Sequence, residues 1–409
     1  MSGTPVRLSS WLRLIRWPNL LYIVVLYVLF RYCLINLLYS RLSLLPALPE
    51  YGFCLLLLSV LCISAGGYII NDYLDIEADR INKPEKVIVG GVISVNAALT
   101  GYYAFTLLGL VFGFAAAYVA GNLRLGLFHV LSVFLLLQYS RVWKRRVLIG
   151  NLVIAFLGAL LVLLLAFFES ELFAFSKDIF TKWFIGLLGY DAQWAMSPEA
   201  YMSGLAPTIM QYILPYSLFA FLLTLSREVV KTAEDIKGDQ AAGYRTLPIV
   251  LGVGASRIAA LLPLLLLIQM TVQFIGRQIM YGDIVAAVGG GIMVLLPTLY
   301  LVWRLWSATN KQHFRHISML LKLIMCVGLI YLPYLATRLA KMSIEGTATG
   351  SRQPNIPPDE QIIDMKIDTI VRTGNVDSSL QEQPVFAPTT PPINNRFSTP
   401  PANDSSSTK

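Results

Sequence analysis

Charge is scarce in this 409-residue chain, with Asp, Glu, Lys and Arg together making up only 14% of it. Hydrophobic residues reach 56%, and a soluble domain of this length is excluded because it would have too little polar surface to cover its core. Cysteine is sparse as well. Cys33, Cys54, Cys62 and Cys326 all fall within apolar stretches and have no metal-ligand spacing, so they read as small packing residues rather than a disulfide framework or zinc site. The three histidines, His129, His313 and His316, neither by number nor by placement suggest a metal centre or catalytic dyad. No cleavable signal is expected in residues 1–16, since the first apolar run is too long and no small-residue cleavage site ends it.

What the chain has instead is long apolar runs, at 20–39, 53–70, 98–120, 125–139, 148–168, 209–225, 258–275, 284–303 and 317–336. Most reach or approach the roughly 20 residues that cross a bilayer as a helix. The expected fold is all-α: nine transmembrane helices in a lipid bilayer, with 125–139 short enough to be broken or tilted. With the N-terminus inside, the inner segments carry 18 Lys and Arg against five in the opposite loops between spans, Arg41, Arg124, Lys177, Lys182 and Arg277. The positive-inside rule then places the N-terminus in the cytosol and the C-terminus outside, in a cell inner (plasma) membrane protein. No nucleic-acid partner is expected. Residues 1–342 form the expected membrane domain. Its long outer loop, 170–207, mixes Phe173, Trp183, Phe184 and Trp194 with Lys177 and Lys182, a pattern suited to a helix lying at the interface. Residues 343–409 are rich in Pro, Ser and Thr and are expected to be a disordered tail.

Two acidic clusters stand out against this apolar background. Asp72, Asp75 and Asp79 follow the second run at i, i+3, i+7, a spacing that puts three carboxylates on one helical face. Glu228, Thr232, Asp235 and Asp239 follow the sixth run at i, i+4, i+7, i+11 and share a stripe if the helix continues past Gly238. Stacked like charges at a membrane edge repel one another and call for a cation. An oxygen-only ligand set suits Mg²⁺, whose usual companion is phosphate. A cation transporter would also use intramembrane aspartates, but nearer the bilayer midplane and without interleaved basic residues. The second cluster follows the first after four spans, as in a duplicated four-helix unit.

Asn71-Asp72-x-x-Asp75-x-x-x-Asp79 resembles the first aspartate-rich motif of the UbiA superfamily of intramembrane prenyltransferases, and Asp235-x-x-x-Asp239 resembles the second. Arg16-Trp17-Pro18-Asn19, Tyr139-Ser140 with Lys144, Gly150-Asn151 and Gly243-Tyr244-Arg245-Thr246-Leu247-Pro248 agree with that family in order. Arg227-Glu228-x-x-Lys231-x-x-Glu234-Asp235 is most similar to the branch that prenylates geranylgeranylglyceryl phosphate, although Thr232 stands where that branch usually has aspartate. The resemblance implies a Mg²⁺-dependent transfer of a prenyl group from an isoprenoid diphosphate donor to a lipophilic acceptor. The acceptor is expected to be of lipid type, with quinone precursors, haem or chlorin rings as the alternative. It also implies roles: Asp72, Asp75, Asp79, Glu228, Asp235 and Asp239 as metal ligands, the five aspartates being catalytic. Asn71, Arg80, Lys144, Lys231 and Arg245 are the expected contacts of the donor diphosphate.

Overall fold

The computed structural model describes residues 8–41, 46, 48–82, 87–169 and 205–349. Among them, nine helices are long and apolar enough to cross a membrane: α1 (Trp17–Ser40), α2 (Glu50–Leu74), α3 (Val95–Val119), α4 (Leu123–Arg141), α5 (Ile149–Glu169), α6 (Tyr212–Glu234), α7 (Gly252–Met280), α8 (Ile284–Trp306) and α9 (Lys311–Arg338). The chain is an integral membrane protein. The short fourth run needs no break, because one 3₁₀ turn at Leu123–Leu125 feeds directly into Gly126–Arg141. The helix that contains α9 continues to Thr349, past the expected boundary at 342. The rest of the expected tail, 350–409, and residues 170–204 of the expected outer loop lie outside the described residues.

A bilayer cannot hydrogen-bond an exposed peptide group, so each crossing segment satisfies its backbone within its own helix. Lipid-facing positions then take large apolar side chains, as at Leu107, Val111, Leu262, Leu265, Ile292 and Trp303, all exposed. Inside, one core joins α1, α2, α5, α6 and the C-terminal half of α9 through residues such as Phe30, Leu56, Leu165, Ile213 and Leu332. A second joins α6, α7, α8 and α9 through Val230, Leu264, Leu301 and Ile317. Near its C-terminal end α1 loosens into a π-helical stretch, Phe30–Ile35. There the buried Arg31 pairs with the buried Glu169 and donates to the Leu48 carbonyl at 2.6 Å, so neither charge is left unpaired in apolar surroundings.

Helix pairs approach closely where side chains vanish. At Gly109 an added Cβ would lie 2.6 Å from Ile63 Cγ1 and 3.2 Å from the Ser59 carbonyl oxygen. The Ser59 hydroxyl donates to the Gly109 carbonyl at 2.6 Å across the same crossing. Small residues and interhelical hydrogen bonds drive association where lipid gives no hydrophobic advantage. The α2–α3 crossing sets the depth and angle at which α2 delivers Asn71 and Asp72 to its end. Gly109→Val should therefore lower the thermal stability of the detergent-purified protein by about 1–3 kcal/mol. Gly276→Ala, where a Cβ would meet nothing within 4 Å, should leave it unchanged or slightly raised. Equal melting temperatures for both variants would remove the close crossing from the account.

Candidate active site

The expected unbroken carboxylate stripes are not what the chain forms. α2 ends at Leu74 and Asp75 adopts φ −103°, ψ 6°, before a new helix, Ile76–Asn82, begins. α6 ends at Glu234 and Asp235 adopts φ −98°, ψ 11°, before Ile236–Ala241. Both aspartates sit in the sparsely allowed region between helix and strand, where a short acidic side chain competes with the helical backbone for hydrogen bonds. The hydrogen bonds around the two breaks coincide. Asp75 N–H donates to Asn71 O and Asp79 N–H to Asp75 O, while Asp235 N–H donates to Lys231 O and Asp239 N–H to Asp235 O. That register equates Asn71 with Lys231, Asp72 with Thr232, Asp75 with Asp235 and Asp79 with Asp239. The break also lets the two short helices turn aside and pack against each other, which closes one mouth of the bundle with acid on both sides.

Lys144 reaches this mouth from the 3₁₀ turn Trp143–Arg145 that links α4 to α5. Its Nζ lies 2.5 Å from Asp75 Oδ1 and 3.4 Å from Asn71 Oδ1. The turn is pressed onto the start of α5 at Gly150, where a Cβ would come within 2.8 Å of the Lys144 Cα and 2.9 Å of the Trp143 carbonyl. Burial draws the Lys144 ammonium below its ordinary pKa, and the Asp75 carboxylate pulls the other way. The Tyr244 hydroxyl donates to the same Asp75 oxygen at 3.1 Å, with the Arg145 guanidinium 5.1 Å from its ring centre. Arg245 N–H donates to the Arg145 carbonyl at 2.8 Å. The loop after α6 is thus tied to the loop after α4. Burial, and then the nearby Asp75 carboxylate, raise the Tyr244 hydroxyl above its usual range, so it remains a donor at neutral pH. Burial, followed by Asp235 and Asp75, pushes the Asp239 carboxyl up to about 7. The carboxylates of the two motifs therefore feel each other.

The remaining expected residues divide. Arg80 and Arg245 are exposed, and Arg80 lies beside Gly90, where a Cβ would meet its Nη2 at 4.0 Å. Lys231 lies within electrostatic range of Asp239 and Glu228. Glu228, expected among the metal ligands, makes its ion pair with Arg227 at 2.7 Å, and both are largely buried. Thr232 donates to the Val229 carbonyl of its own helix at 2.8 Å. Arg16 and Tyr244 were visible as pieces of the family pattern but had no assigned part. Arg16, held at φ 53° just before α1, reaches Asp72 at 2.6 Å across the aromatic ring of Tyr68. A non-glycine residue kept left-handed costs about 1–3 kcal/mol and persists where its surroundings demand it.

Among the described residues no three Asp, Glu, His or Cys side chains converge tightly enough to enclose a metal ion by themselves. Asp72 and Asp75 are engaged by Arg16 and Lys144. The donor chemistry nonetheless fits Mg²⁺, which is ordinarily held by one or two carboxylates with phosphate oxygens and water completing the octahedron. Burial first, and the neighbouring Asp235 and Asp75 carboxylates second, raise Asp239 to about 7, and a cation at this mouth would offset both.

Fold and site define a polytopic helical membrane protein with opposed acidic motifs and a buried lysine at one mouth. The UbiA prenyltransferase family matches residues 32–324. Digeranylgeranylglyceryl phosphate synthase of Sulfolobus acidocaldarius is 32% identical over 233 residues, 56% of this chain and 69% of that protein. The synthase of Saccharolobus solfataricus is 30% identical over 263 residues, 64% and 75% of the two chains. A solved structure concerned with digeranylgeranylglyceryl phosphate synthase superposes with a TM-score of 0.51 at 22% identity, covering 81% of this chain and 99% of the other, a likeness of fold. The chain belongs to the UbiA prenyltransferase family and is a prenyltransferase.

If the α4–α5 turn positions Lys144, then Gly150→Val should cost turnover on the order of a hundredfold, the usual penalty for a misplacement of about 1 Å. Tyr244→Phe, which deletes one hydrogen bond to Asp75, should cost about tenfold. Both are read as prenyl-transfer rates of purified protein. Wild-type rates in Gly150→Val would mean that the turn is not what places the lysine.

Proposed function

We propose that this chain transfers a prenyl group from an isoprenoid diphosphate to a hydroxyl of a lipid-type acceptor within the membrane. The observation that carries the proposal is the pair of matched helix breaks at Asp75 and Asp235, whose following short helices pack on each other beside the Lys144–Asp75 ion pair. Curated relatives named digeranylgeranylglyceryl phosphate synthase support the lipid acceptor over an aromatic one.

In this reading Asp72, Asp75, Asp79, Asp235 and Asp239 are the carboxylates that would hold Mg²⁺. When bound, it would neutralise the donor diphosphate and stabilise the leaving group. Lys144 and Asn71 at the floor of the mouth, with Lys231 beside Asp239, offer donors to the diphosphate oxygens, as Arg80 and Arg245 do from the rim. Tyr244 and Lys144 keep Asp75 oriented. The carbon–oxygen bond to the diphosphate breaks, pyrophosphate leaves, and the allylic cation is captured by the acceptor oxygen, which loses its proton. The apolar helices below exclude water that would otherwise quench the cation. Glu228, already neutralised by Arg227, serves the metal less directly than the aspartates do. The acidic mouth faces the cytosol, where Mg²⁺ and activated phosphates are found.

Purified protein with Mg²⁺, a panel of prenyl diphosphates and candidate acceptors should yield a prenylated lipid detectable by mass. Asp75→Ala and Asp239→Ala should each reduce that yield by at least about a hundredfold while leaving the protein folded. Full activity in either variant, or in excess chelator, would end the metal-assisted mechanism. Orientation is checked separately, in a background lacking the native cysteines. A cysteine placed at Lys237 should resist a membrane-impermeant reagent applied outside the cell, and one placed at Pro384 should react. The opposite pattern would invert the topology.

A further inference from the structure

The last three spans meet at one corner of the bundle. α7 begins there at Gly252, α8 ends there at Trp306, and α9 starts at Lys311 after the short link 307–310. The corner is held firmly. Ala308, Phe314 and Ile317 share a buried core with Leu305, and the His316 ring stands edge-on to Tyr300 with 6.5 Å between centres. Arg257 ties in the third helix end, its Nη1 donating to the Trp306 carbonyl at 3.4 Å.

Positive charge collects at this corner without acid. Arg257, Arg304, Lys311 and Arg315 each lie within about 8 Å of a span end, at about 1.5 Å of rise per residue. Lys311 and Arg315, four residues apart, share one face of α9 and are both exposed. No Asp or Glu occurs in residues 240–282 or 284–344, so the three helix ends bring no carboxylate of their own. Neither α7 nor α9 has an acid in its first turn, where the helix dipole favours an anion and disfavours a cation. The Nε–H groups of Arg257 and Arg304 are shut off from solvent, and neither has a hydrogen-bond partner among the described residues. Shielded donors left unpaired are costly, and two on neighbouring helix ends call for an acceptor from outside the chain. A cation that only orients a span needs proximity to its end and nothing more. Trp303 and Trp306 are exposed on either side of Arg304, whose guanidinium lies 5.8 Å from the Trp303 ring centre. Exposed tryptophans near a span end mark the headgroup level of a bilayer, so these cations stand at the depth of lipid phosphates.

We propose that Arg257, Arg304 and Arg315, with Lys311, bind the phosphodiester headgroup of an anionic bilayer phospholipid, a resident lipid that is neither donor nor acceptor in prenyl transfer. Basic pockets between span ends are a recurring way of holding acidic headgroups. The phosphodiester oxygens accept from the guanidinium groups, including the two orphaned Nε–H donors. The acyl chains run along α7 beside the exposed Ile258, Leu262 and Leu265. A zwitterionic headgroup suits the corner less well, because its ammonium would meet cations and no carboxylate. The bound lipid offsets the repulsion among like charges at three helix ends. Those ends belong to the core that also holds Val229, Val230 and Ala233 of α6, the helix that leads to Asp235.

The test uses the full chain in nanodiscs made from equal parts of phosphatidylcholine and phosphatidylglycerol, with native mass spectrometry of the lipid that the released protein retains. The unaltered protein should keep phosphatidylglycerol over phosphatidylcholine by about tenfold or more, and should melt at a higher temperature in these discs than in phosphatidylcholine alone. Arg257→Gln, Arg304→Gln and Arg315→Gln should each cut the preference about fivefold, the scale of one charge at the membrane surface. Each should also narrow the difference in melting temperature between the two kinds of disc. Should Arg257→Gln fail to fold through loss of its bond to Trp306, Arg257→Lys should fold and keep most of the preference, and the other two variants carry the same reading. Arg277→Gln, an exposed position at the opposite end of α7, should change neither measurement, and inorganic phosphate should not displace the lipid. The proposal is overturned by the absence of any preference in the unaltered protein, or by a preference that survives in Arg304→Gln and Arg315→Gln. It is overturned equally by the same loss in Arg277→Gln, which would mean unspecific attraction, and by displacement with inorganic phosphate, which would mean a site for the free ion.

Discussion

Asp75 is where the separate parts of this membrane protein are made to agree. It ends α2, receives the Lys144 ammonium at 2.5 Å from the α4–α5 turn, and accepts the Tyr244 hydroxyl from the loop after α6 at 3.1 Å. Each partner is brought by a different pair of spans. A buried carboxylate is tolerated only when its charge and lone pairs are met, so the position of Asp75 couples the packing of α2, α4, α5 and α6 to a single point. The crossing at Gly109, the pressed turn at Gly150 and the kink at Asp75 itself all serve that constraint. Disturbing any of them moves a charge relative to its partner, and in a site that works by positioning such movement is felt as lost orientation.

The spans were legible in the sequence because the bilayer imposes one length and one composition, and nothing else in a chain produces nine apolar runs of that size. The acidic motifs were legible as composition and order. Their geometry was not. The spacing i, i+3, i+7 is compatible with a straight stripe and with a kink at the middle residue. The choice is made by the packing of Ile76–Asn82 on Ile236–Ala241, a contact between segments about 160 residues apart. The pairing of Lys144 with Asp75 is likewise a long-range matter. The family pattern brought Lys144 into view, while a charge cluster following a span would otherwise read as topogenic. Arg227 belongs to a motif whose spacing assigns it no chemistry, and Lys322 lies inside an apolar run. A lone lysine there changes mean hydropathy very little, and only the fold places it opposite Arg227 and Glu228.

The coincidence of the two helix breaks gives the departure at Thr232 a physical meaning. In register with Asp72, it is the position at which the second helix end carries a hydroxyl where the first carries a carboxylate. Asp72 in the first half is answered by Arg16. A carboxylate at 232 would lie one turn from Glu228, next to Lys231, and would cancel part of the positive charge that Arg227, Lys231 and Lys322 bring to that side. Threonine instead closes its hydroxyl onto Val229 of its own helix and contributes no charge. The two helix ends thus differ electrostatically although the backbone hydrogen bonds around their breaks agree. The α2 side presents three aspartates to the mouth. The α6 side presents two and keeps a surplus of cations one to two turns deeper. A hydroxyl in place of a carboxylate at one of two matched helix ends is a small sequence difference, and it is enough to make the two sides of the mouth electrostatically unequal.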